Sequence, residues 1–461
     1  MTKMKNKSKF GFGTYRIENI EEHKETLYKA LEKGVNVIDT SSNYSHGDSE
    51  RCIGDVVSDL IRQEKVERTD LTIISKAGYI QGDLLHEITS KNIDEDKIVN
   101  CEAHLKHCIE PDFLEDQLSA SLDRLKMDYL DCFLLHNPEY YLQYSKKSSE
   151  DEDLLYAEYY DRIEKAFHYC ETEVKKGRIK SYGISSNTFS LNQDSIDSTS
   201  LKKVCEIADR IQSNHHFKVI QCPFNLIENT LITSNFFEFA KEKDLFTCIN
   251  RPLNAIHNSK LLRLSELEET IEVTYIEIED LMEQGIQLEE SIKEKLTEKE
   301  AKAVFIEYLN FCSVLKRSYQ SELSYFSFKD FLKYSIYPAV EQYLSLFQED
   351  QIDDEIQENL QEYMTHFNEL IKSILGFSSN RHNEYVRDIK AAICKNLNPE
   401  LFDIGLSRLL LSIYTSTSNI DCILLGMRQD RYVQEAVEVM KEPELKLNTQ
   451  FWRNTQETLK F

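Results

Sequence analysis

The chain is poor in glycine and proline, with 13 Gly and 7 Pro in 461 residues. So few of these residues exclude a fibrous or Gly/Pro-rich low-complexity protein. The sequence also lacks an apolar run long enough to span a bilayer. Its basic start, MTKMKNKSKF, is not followed by an apolar stretch, so we expect neither a membrane segment nor a secretory signal.

Positive charge is also scarce, because 55 Lys and Arg oppose 80 Asp and Glu and leave a formal net charge of −25. An acidic surface repels phosphate backbones and anionic lipids, so nucleic acid and membranes are not expected partners. The 11 cysteines are scattered singly and odd in number. In so long a chain they indicate reduced thiols and a cytoplasmic protein.

Eight short β-rich runs alternate with amphipathic helical runs, and 24 Tyr and 23 Phe supply a core. Strict alternation predicts a closed parallel (β/α)8 TIM barrel with helices outside. An open doubly wound sheet is the competing architecture, but FGFGTYR lacks the complete G-x-G-x-x-G fingerprint. The predicted strands are Phe10–Tyr15, Asn36–Ser41, Leu71–Ala77, Leu130–His136, Ile179–Ser185, Val219–Pro223, Phe246–Asn250 and Cys422–Gly426.

Two stretches interrupt the alternation. Residues 81–111, after the third strand, are polar and predict a long loop. Residues 263–398, after the seventh strand, are acidic and aromatic-rich with a single proline, and they predict a mostly helical insertion domain. The barrel would then consist of residues 1–262, with strands one to seven, and residues 399–461, with the eighth strand and a C-terminal helix.

Apolar residues at three-and-four spacing in the first part of the insertion predict a packed helix rather than a coiled-coil seam. Gly285 is a weak point in it, and the apolar positions are Leu264, Leu267, Ile271, Ile278, Leu281, Leu288 and Ile292. The insertion follows a strand end, and active sites of such barrels lie at that face. We therefore consider two roles for residues 263–398, a lid over the site and a surface for a protein partner.

Ionisable residues stand where three neighbouring strands end. VNVIDTSSNY supplies Asp39 and Tyr44, TIISK supplies Lys76, and CFLLH supplies His136. Together a carboxylate, a phenol, an amine and an imidazole can deliver a proton to a carbonyl oxygen. The ammonium would lower the pKa of the phenol, the carboxylate would keep the ammonium charged, and the imidazole would orient the acceptor.

With these residues the sequence resembles the aldo-keto reductase family over Lys9–Pro252 and Leu401–Met440. The resemblance rests on FGFGTYR, GVNVIDTSSNYSHGDSERCIG, TIISKAG, SLDRLKMDYLDCFLLHNP, GRIKSYGISSN and ILLGMRQDRYVQEAV. It implies an oxidoreductase that reduces an aldehyde or ketone to an alcohol with NAD(P)H, or runs the reverse oxidation, without a metal. Tyr44 would be the general acid, Lys76 and Asp39 would lower its pKa, and His136 would orient the carbonyl.

The resemblance also implies where the dinucleotide binds, in an extended form on the barrel. Ser186, Asn187 and Gln221 match residues that bind the nicotinamide carboxamide, and Thr14 and Tyr15 match a turn that borders the cofactor.

The chain departs from the family pattern after the seventh strand. Where an aromatic residue often stacks on the nicotinamide, INRPLNA offers Asn250 and Arg251. We expect Arg251 to contact the cofactor pyrophosphate instead, since a guanidinium matches phosphate oxygens. The late GMRQDRYVQEA keeps Arg428 and Glu435 but lacks the Lys-Ser pair of many members. Arg428 or Arg431 would carry a 2′-phosphate, which favours NADP over NAD.

Two alternatives remain open at this point. CEAHLKHC places Cys101, His104, His107 and Cys108 within one segment, and such ligands can hold zinc. On a helix His107 would diverge from the other three, so we expect buried cysteines and surface histidines there and no metal site. The alternative function is a catalytically weak nicotinamide-binding redox sensor or scaffold that acts through residues 263–398.

Overall fold

A computed structural model describes residues 7–88, 93–145, 151–191, 195–257, 260–268, 271–299, 301, 303–319, 324–349, 354–447 and 449–459. Its strands are β1 (Phe10–Gly13), β2 (Val37–Asp39), β3 (Thr72–Ala77), β4 (Tyr79–Ile80), β5 (Val99–Glu102), β6 (Leu105–His107), β7 (Cys132–His136), β8 (Tyr182–Ser185), β9 (Phe217–Pro223), β10 (Phe246–Asn250), β11 (Asn254–His257), β12 (Lys260–Arg263) and β13 (Cys422–Leu425).

Eight of these strands form a closed parallel barrel in the order β1-β13-β10-β9-β8-β7-β3-β2. Each of the eight predicted strands supplies one of them, with ends that differ by a few residues. The predicted TIM barrel is therefore confirmed, and the open doubly wound sheet is wrong. No helix in the part of the chain that the structure describes is long and apolar enough to cross a membrane.

Helices follow the strands, and their sequences show why they begin and end where they do. Asp151 caps one N-terminus by accepting from the amides of Asp153 and Leu154, and Gly177 ends the same helix with a φ of 78°. The helices are α1 (Glu21–Glu32), α2 (Asp48–Arg62), α3 (Leu84–Glu87), α4 (Pro111–Leu125), α5 (Tyr140–Ser145), α6 (Glu152–Lys176), α7 (Leu201–Ile211), α8 (Thr230–Thr233), α9 (Phe236–Glu242), α10 (Tyr275–Glu298), α11 (Ala303–Glu307), α12 (Phe311–Tyr319), α13 (Tyr325–Phe331), α14 (Tyr337–Glu349), α15 (Asp354–Asn396), α16 (Leu406–Thr415), α17 (Asp430–Val439) and α18 (Thr449–Leu459).

The barrel interior contains a layer of buried apolar side chains. The layer consists of Val37, Ile74, Cys132, Leu134, Val219, Cys248, Cys422 and Leu424. Side chains two positions apart on a strand point to the same face. The residues that follow this layer by two positions, among them Asp39, Lys76 and His136, therefore form the next layer toward the C-terminal ends of the strands.

The segment predicted as a long loop, residues 81–111, contains regular structure, which corrects that prediction. β5 and β6 form an antiparallel hairpin, and β4 pairs with β6 to complete a three-stranded sheet. The strands have only two to four residues, too few for a clear alternation of apolar and polar side chains. Residues 89–92 of this segment lie outside the described residues.

The chain divides into two compact units, one of residues 1–264 and 396–461 and the other of residues 265–395. The second unit is helical, as predicted, and has its own core of buried residues from α10 to α15. Gly285 of α10 allows a close approach, because a Cβ atom there would lie 2.5 Å from Sγ of Cys312. The insertion therefore buries an apolar core of its own.

The apolar stripe predicted for the start of the insertion is only partly helical. α10 begins at Tyr275, where Thr274 and Glu277 form a capping box. Leu264, Leu267 and Ile271 therefore precede the helix. The capping box, rather than the apolar spacing, therefore marks the start of the helix. The apolar residues upstream of it pack outside a helix.

Candidate functional site

The register of the barrel strands brings the ionisable strand ends together. Asp39 pairs with Ile74, and Lys76, two residues further along β3, pairs with Leu134 of β7. His136, again two residues further, pairs with Ser185 of β8. Steps of two residues keep side chains on the same face of a sheet. The three side chains therefore meet at the C-terminal end of the barrel interior.

Lys76 and Asp39 form a buried ion pair. Nζ of Lys76 lies 2.6 Å from both Oδ1 and Oδ2 of Asp39, and the two side chains are 0% and 5% exposed. Burial lowers the pKa of Lys76, and the negative charge of Asp39 opposes that shift. The carboxylate therefore keeps this ammonium group charged in a dry environment.

Tyr44 lies beside this ion pair, in a 3₁₀ turn that follows β2. Burial raises the pKa of Tyr44 well above its usual value, and the charge of Asp39 raises it further. This differs from the expectation that Lys76 lowers the pKa. The ammonium lies against the face of the phenol ring, with Nζ 5.1 Å from the ring centroid, and its charge is neutralised by Asp39.

His136 is buried and packs edge-on against Tyr44, with 5.8 Å between ring centroids. Burial lowers the pKa of His136 well below its usual value, and the charge of Lys76 adds to this, so the ring is neutral. Its Nδ1 lies 3.0 Å from Oγ of Ser41. Nε2 is therefore the nitrogen that is left for a substrate.

The three-stranded sheet of β4, β5 and β6 contacts the main chain at His136. Nε2 of His107 lies 2.7 Å from the carbonyl oxygen of His136, and burial lowers the pKa of His107 to about 4. The segment that contains Cys101 and His104 is thus a hairpin rather than a helix, and His107 is buried rather than on the surface as expected. In the described ranges no three His, Cys, Asp or Glu side chains are grouped so that they could share a metal.

Gln221 has a different contact from the one expected. Its Nε2 donates to Oδ1 of Asp39 at 2.7 Å, and its Oε1 accepts from Oγ of Ser185 at 3.1 Å and from Nδ2 of Asn250 at 3.3 Å. Gln221 therefore fixes the carboxylate of Asp39 in this structure. The amide oxygen of Asn250 is buried and has no hydrogen-bond partner among the described residues.

Two of the expected cofactor residues follow β1. Thr14 is buried, and its Oγ1 donates to the main-chain oxygen of Asp39 at 2.9 Å. Tyr15 is 67% exposed, and its ring lies 5.3 Å from that of Tyr44. Thr14 thus supports the strand end that carries Asp39, whereas Tyr15 presents an aromatic surface beside the ring of Tyr44.

Two more expected cofactor residues follow β8, at the opposite side of His136. Ser186 is buried, and its Oγ lies 3.1 Å from both Thr188 Oγ1 and Thr199 Oγ1. The main-chain amide of Asn187 donates to Oε1 of Glu139 at 2.8 Å. These contacts hold the loop after β8 against the barrel.

Arg251, expected to bind the pyrophosphate, is occupied by another partner. Its Nη2 lies 2.7 Å from Oε1 of Glu228, and its φ is 57°, a conformation that a non-glycine residue rarely adopts. Nδ2 of Asn225 donates to the main-chain oxygen of Arg251 at 3.3 Å, and Oε2 of Glu228 accepts from the main-chain amide of Ile256 at 3.0 Å. The geometry gives Arg251 a role in shaping the loop after β10.

A different group of basic residues converges at this end of the barrel. Arg263 of β12 is mostly buried and donates to Oδ1 of Asn254 at 2.9 Å. Burial lowers the pKa of Arg263, and the charges of Arg428 and Arg16 add to this. Glu435, which the sequence keeps from the family pattern, accepts from Oγ of Ser407 at 2.8 Å.

Sequence reasoning missed several of these residues. Arg16 follows the end of β1 and Arg263 is the last residue of β12, and their proximity to Arg428 cannot be recognised from the sequence. Ser41 and Glu139 each lie within three residues of a recognised site residue and could have been examined on that ground. The hydrogen bonds that they make depend on the fold.

The comparison with protein families gives one match in the described barrel. The model of the Aldo/keto reductase family matches residues 9–255, more than half of the 461 residues of this chain. The match contains the strand ends that carry Asp39, Lys76 and His136. It ends before the helical unit begins.

Three curated relatives resemble parts of the chain. The NADH-specific methylglyoxal reductase of Escherichia coli is 26% identical over 24% of this chain and 30% of its own length. An uncharacterised oxidoreductase of Schizosaccharomyces pombe is 25% identical over 56% and 65%, and the NAD(P)H-dependent D-xylose reductase of Candida tropicalis is 24% identical over 45% and 54%. The chain thus spans from about a third to two thirds of the length of these relatives.

Proposed function

Because this chain belongs to the aldo/keto reductase family, we propose that it reduces an aldehyde or ketone to an alcohol with a nicotinamide dinucleotide, or runs the reverse oxidation. The observation that carries the proposal is the buried Lys76–Asp39 ion pair beside the phenol of Tyr44 and a neutral His136. The names of relatives that act on methylglyoxal and D-xylose agree with a carbonyl substrate.

The residues at the barrel end fit a nicotinamide dinucleotide. Asn250 offers a buried amide oxygen without a partner, which suits the amino group of a carboxamide. Arg16, Arg263 and Arg428 bring positive charge to the opening of a strongly acidic protein, which suits phosphate groups. When bound, the dinucleotide supplies the hydride.

The protein's own residues move the proton. The raised pKa of Tyr44 keeps its hydroxyl protonated, so that it can deliver a proton to a carbonyl oxygen as negative charge develops there. The ammonium of Lys76 stabilises the phenolate that remains. Nε2 of His136 would orient the carbonyl oxygen of the substrate, since Nδ1 is engaged by Ser41.

Among the two forms of the cofactor we propose NADP in preference to NAD. Arg16, Arg263 and Arg428 together have more positive charge than one pyrophosphate requires, and the remaining charge would interact with a 2′-phosphate. Arg428 is exposed and adjoins Arg263, whereas Arg431 contacts Gln429 and Tyr432 on its own helix. We therefore assign the 2′-phosphate to Arg428 and the pyrophosphate to Arg263.

A direct assay tests the proposed function. Purified protein should oxidise NADPH, and NADH more slowly, when aldehydes, ketones or open-chain sugars are supplied, as followed by the loss of absorbance of the reduced nicotinamide. Binding of both dinucleotides without turnover of any carbonyl would instead favour the sensor or scaffold. Failure to bind either dinucleotide would overturn both.

The assignment of the arginines gives a second prediction. Arg263→Gln should weaken NADPH binding by about tenfold or more, because hydrogen bonds to charged groups contribute about 1.5–3 kcal/mol each. Arg428→Gln should weaken NADPH binding more than NADH binding. Arg251→Gln should leave both affinities nearly unchanged and lower the melting temperature, because Glu228 would lose its partner.

Isothermal titration calorimetry with the two reduced dinucleotides measures these affinities. Arg210→Gln is the matched control, because Arg210 is an arginine of the same unit that pairs with Glu164 on the outer helices. If Arg251→Gln weakened dinucleotide binding and Arg263→Gln did not, the pyrophosphate contact would be assigned to Arg251 instead of Arg263.

A further inference from the structure

A buried carboxyl group links two loops at the barrel end. Glu139 follows β7 by three residues and is 0% exposed. Its Oε1 accepts from the main-chain amide of Asn187, at 2.8 Å, in the loop after β8. The loop after β7 is thereby joined to the loop that carries Ser186 and Asn187.

The second oxygen of this carboxyl group is unusual. Oε2 of Glu139 is buried and meets no donor with good hydrogen-bond geometry among the described residues, although the hydroxyl of Ser186 lies close enough to oppose the rise in its pKa. A buried carboxylate normally has a cationic partner or a full set of donors, because an unpaired charge in a dry site is costly. Its presence beside the site is thus not explained by packing alone.

We propose that Glu139 is a positioning residue for the cofactor, which sets the affinity for the nicotinamide end by holding the main chain at Asn187. The inference rests on the proposed function and on the sequence-based expectation that Asn187, like Asn250, contacts the carboxamide. The carboxyl group of Glu139 holds the main-chain amide of Asn187. It thereby fixes the direction in which the side chain of Asn187 leaves the main chain. Loop ordering then takes place before the cofactor binds, so that less entropy is lost on binding.

The same contact makes cofactor affinity depend on pH. Burial raises the pKa of Glu139 to about 7, although hydrogen bonds from its own main-chain amide, from that of Asn187 and from the side chain of Ser186 oppose the rise. The titratable groups that share electrostatic contact with it are the phenols of Tyr79, Tyr140 and Tyr159. Their own pKa values are raised, so they remain protonated while Glu139 titrates.

The sign of the effect follows from the strength of the hydrogen bond. An ionised carboxylate is a stronger acceptor for an N–H group than a neutral carboxyl group is. NADPH should therefore bind more tightly above pH 7 and about fivefold more weakly below it. The unfolding free energy has the opposite dependence, because a carboxyl group with a raised pKa in the folded state favours folding at low pH and loses this contribution as pH rises toward 7.

The test measures the dissociation constant of NADPH by calorimetry between pH 5.5 and 8.5. Glu139→Gln keeps an oxygen that can accept from Asn187 and cannot ionise, so its affinity should equal the low-pH value of the native protein at every pH. Glu139→Ala should weaken binding by about tenfold, since no acceptor remains. Asn187→Ala supplies the reference for a lost carboxamide contact.

Glu289→Gln is the matched control. Glu289 is also fully buried, accepts from a main-chain amide, that of Cys312 at 2.6 Å, and has a pKa raised by burial, but it belongs to the helical unit. This variant should leave the affinity and its pH profile unchanged. Melting curves show whether Glu139→Ala is folded, and Glu139→Gln, which has the same shape as the native residue, carries the test if it is not.

The outcomes separate this inference from the proposed function. If native protein binds NADPH and Glu139→Gln retains the native pH profile, the role of Glu139 is overturned while the reductase proposal stands. If native protein binds neither NADPH nor NADH, the proposed function itself is overturned, whatever the Glu139 variants show. A flat profile for Glu139→Gln, with Glu289→Gln unchanged, supports the inference.

Discussion

Replacing Tyr44 by phenylalanine should lower kcat by about 10²–10⁴-fold, the usual contribution of a positioned general acid. The substitution removes the hydroxyl group and retains the ring, which lies 5.3 Å from the ring of Tyr15 and 5.8 Å from that of His136. The dissociation constant of NADPH should therefore change little. Single-turnover measurement of hydride transfer, with calorimetry of cofactor binding, separates the two effects.

Tyr140→Phe is the matched control for this prediction. Tyr140 belongs to the aromatic cluster that packs near His136 through Tyr79, and burial also raises its pKa. It lies on α5 rather than beside Lys76, so its loss should leave the rate of hydride transfer within a small factor of the native rate. Equal rates for Tyr44→Phe and the native protein would exclude Tyr44 as the acid.

The pH dependence follows from the raised pKa of Tyr44. A phenol whose pKa lies well above its usual value of about 10 stays protonated through the neutral range. Carbonyl reduction should therefore not fall between pH 6 and about 9 because of this group. A loss of rate in that range would have to arise from another residue, and Glu139→Gln would identify one candidate through the KM for NADPH.

The barrel could be predicted because its signals are local. Each strand is a short buried run, and each is followed by a helix with an apolar face, so the alternation can be recognised along the chain. The polar layer of the site was also visible, since Asp39, Lys76 and His136 each stand two positions after an apolar residue of the inner layer. The short strands of the small sheet carry no such pattern.

The contacts that tune the site were beyond sequence reasoning. Gln221 and Asp39 are 182 residues apart, and only barrel closure shows that the amide contacts this carboxylate. Arg251 was assigned to a phosphate because arginine suits phosphate, but Glu228, which forms its ion pair, is brought to it by a tight turn. Residue type indicated the chemistry, whereas the partner depended on how distant segments pack.

Removing one partner of the Lys76–Asp39 ion pair should strongly destabilise the barrel unit. Lys76→Met should lower its free energy of unfolding by about 3–5 kcal/mol, because the carboxylate would remain buried without its cation. Asp39→Asn should have a similar cost, since it leaves the ammonium unpaired. The double variant, Asp39→Asn with Lys76→Met, buries no net charge and should be more stable than the sum of the single costs by about 0.5–3 kcal/mol.

The single tryptophan makes this measurement specific to one unit. Trp452 is buried in the barrel unit, so its fluorescence during urea unfolding reports that unit rather than the helical one. Lys65→Met is the control, because the exposed pair of Lys65 and Glu32 should contribute about 0–1 kcal/mol. A loss in Lys76→Met no larger than the control would show that the buried pair has no special effect on stability.

The activity of the double variant then separates stability from function. An ion pair kept for stability could be replaced by neutral groups of similar size without loss, since burying two charges costs about as much as their attraction returns. An ion pair that is kept for chemistry could not be replaced in this way without loss of activity, because the ammonium stabilises the phenolate that Tyr44 becomes. We expect the double variant to regain most of its stability and to remain as slow in hydride transfer as Lys76→Met. Recovery of both would assign the pair to folding alone.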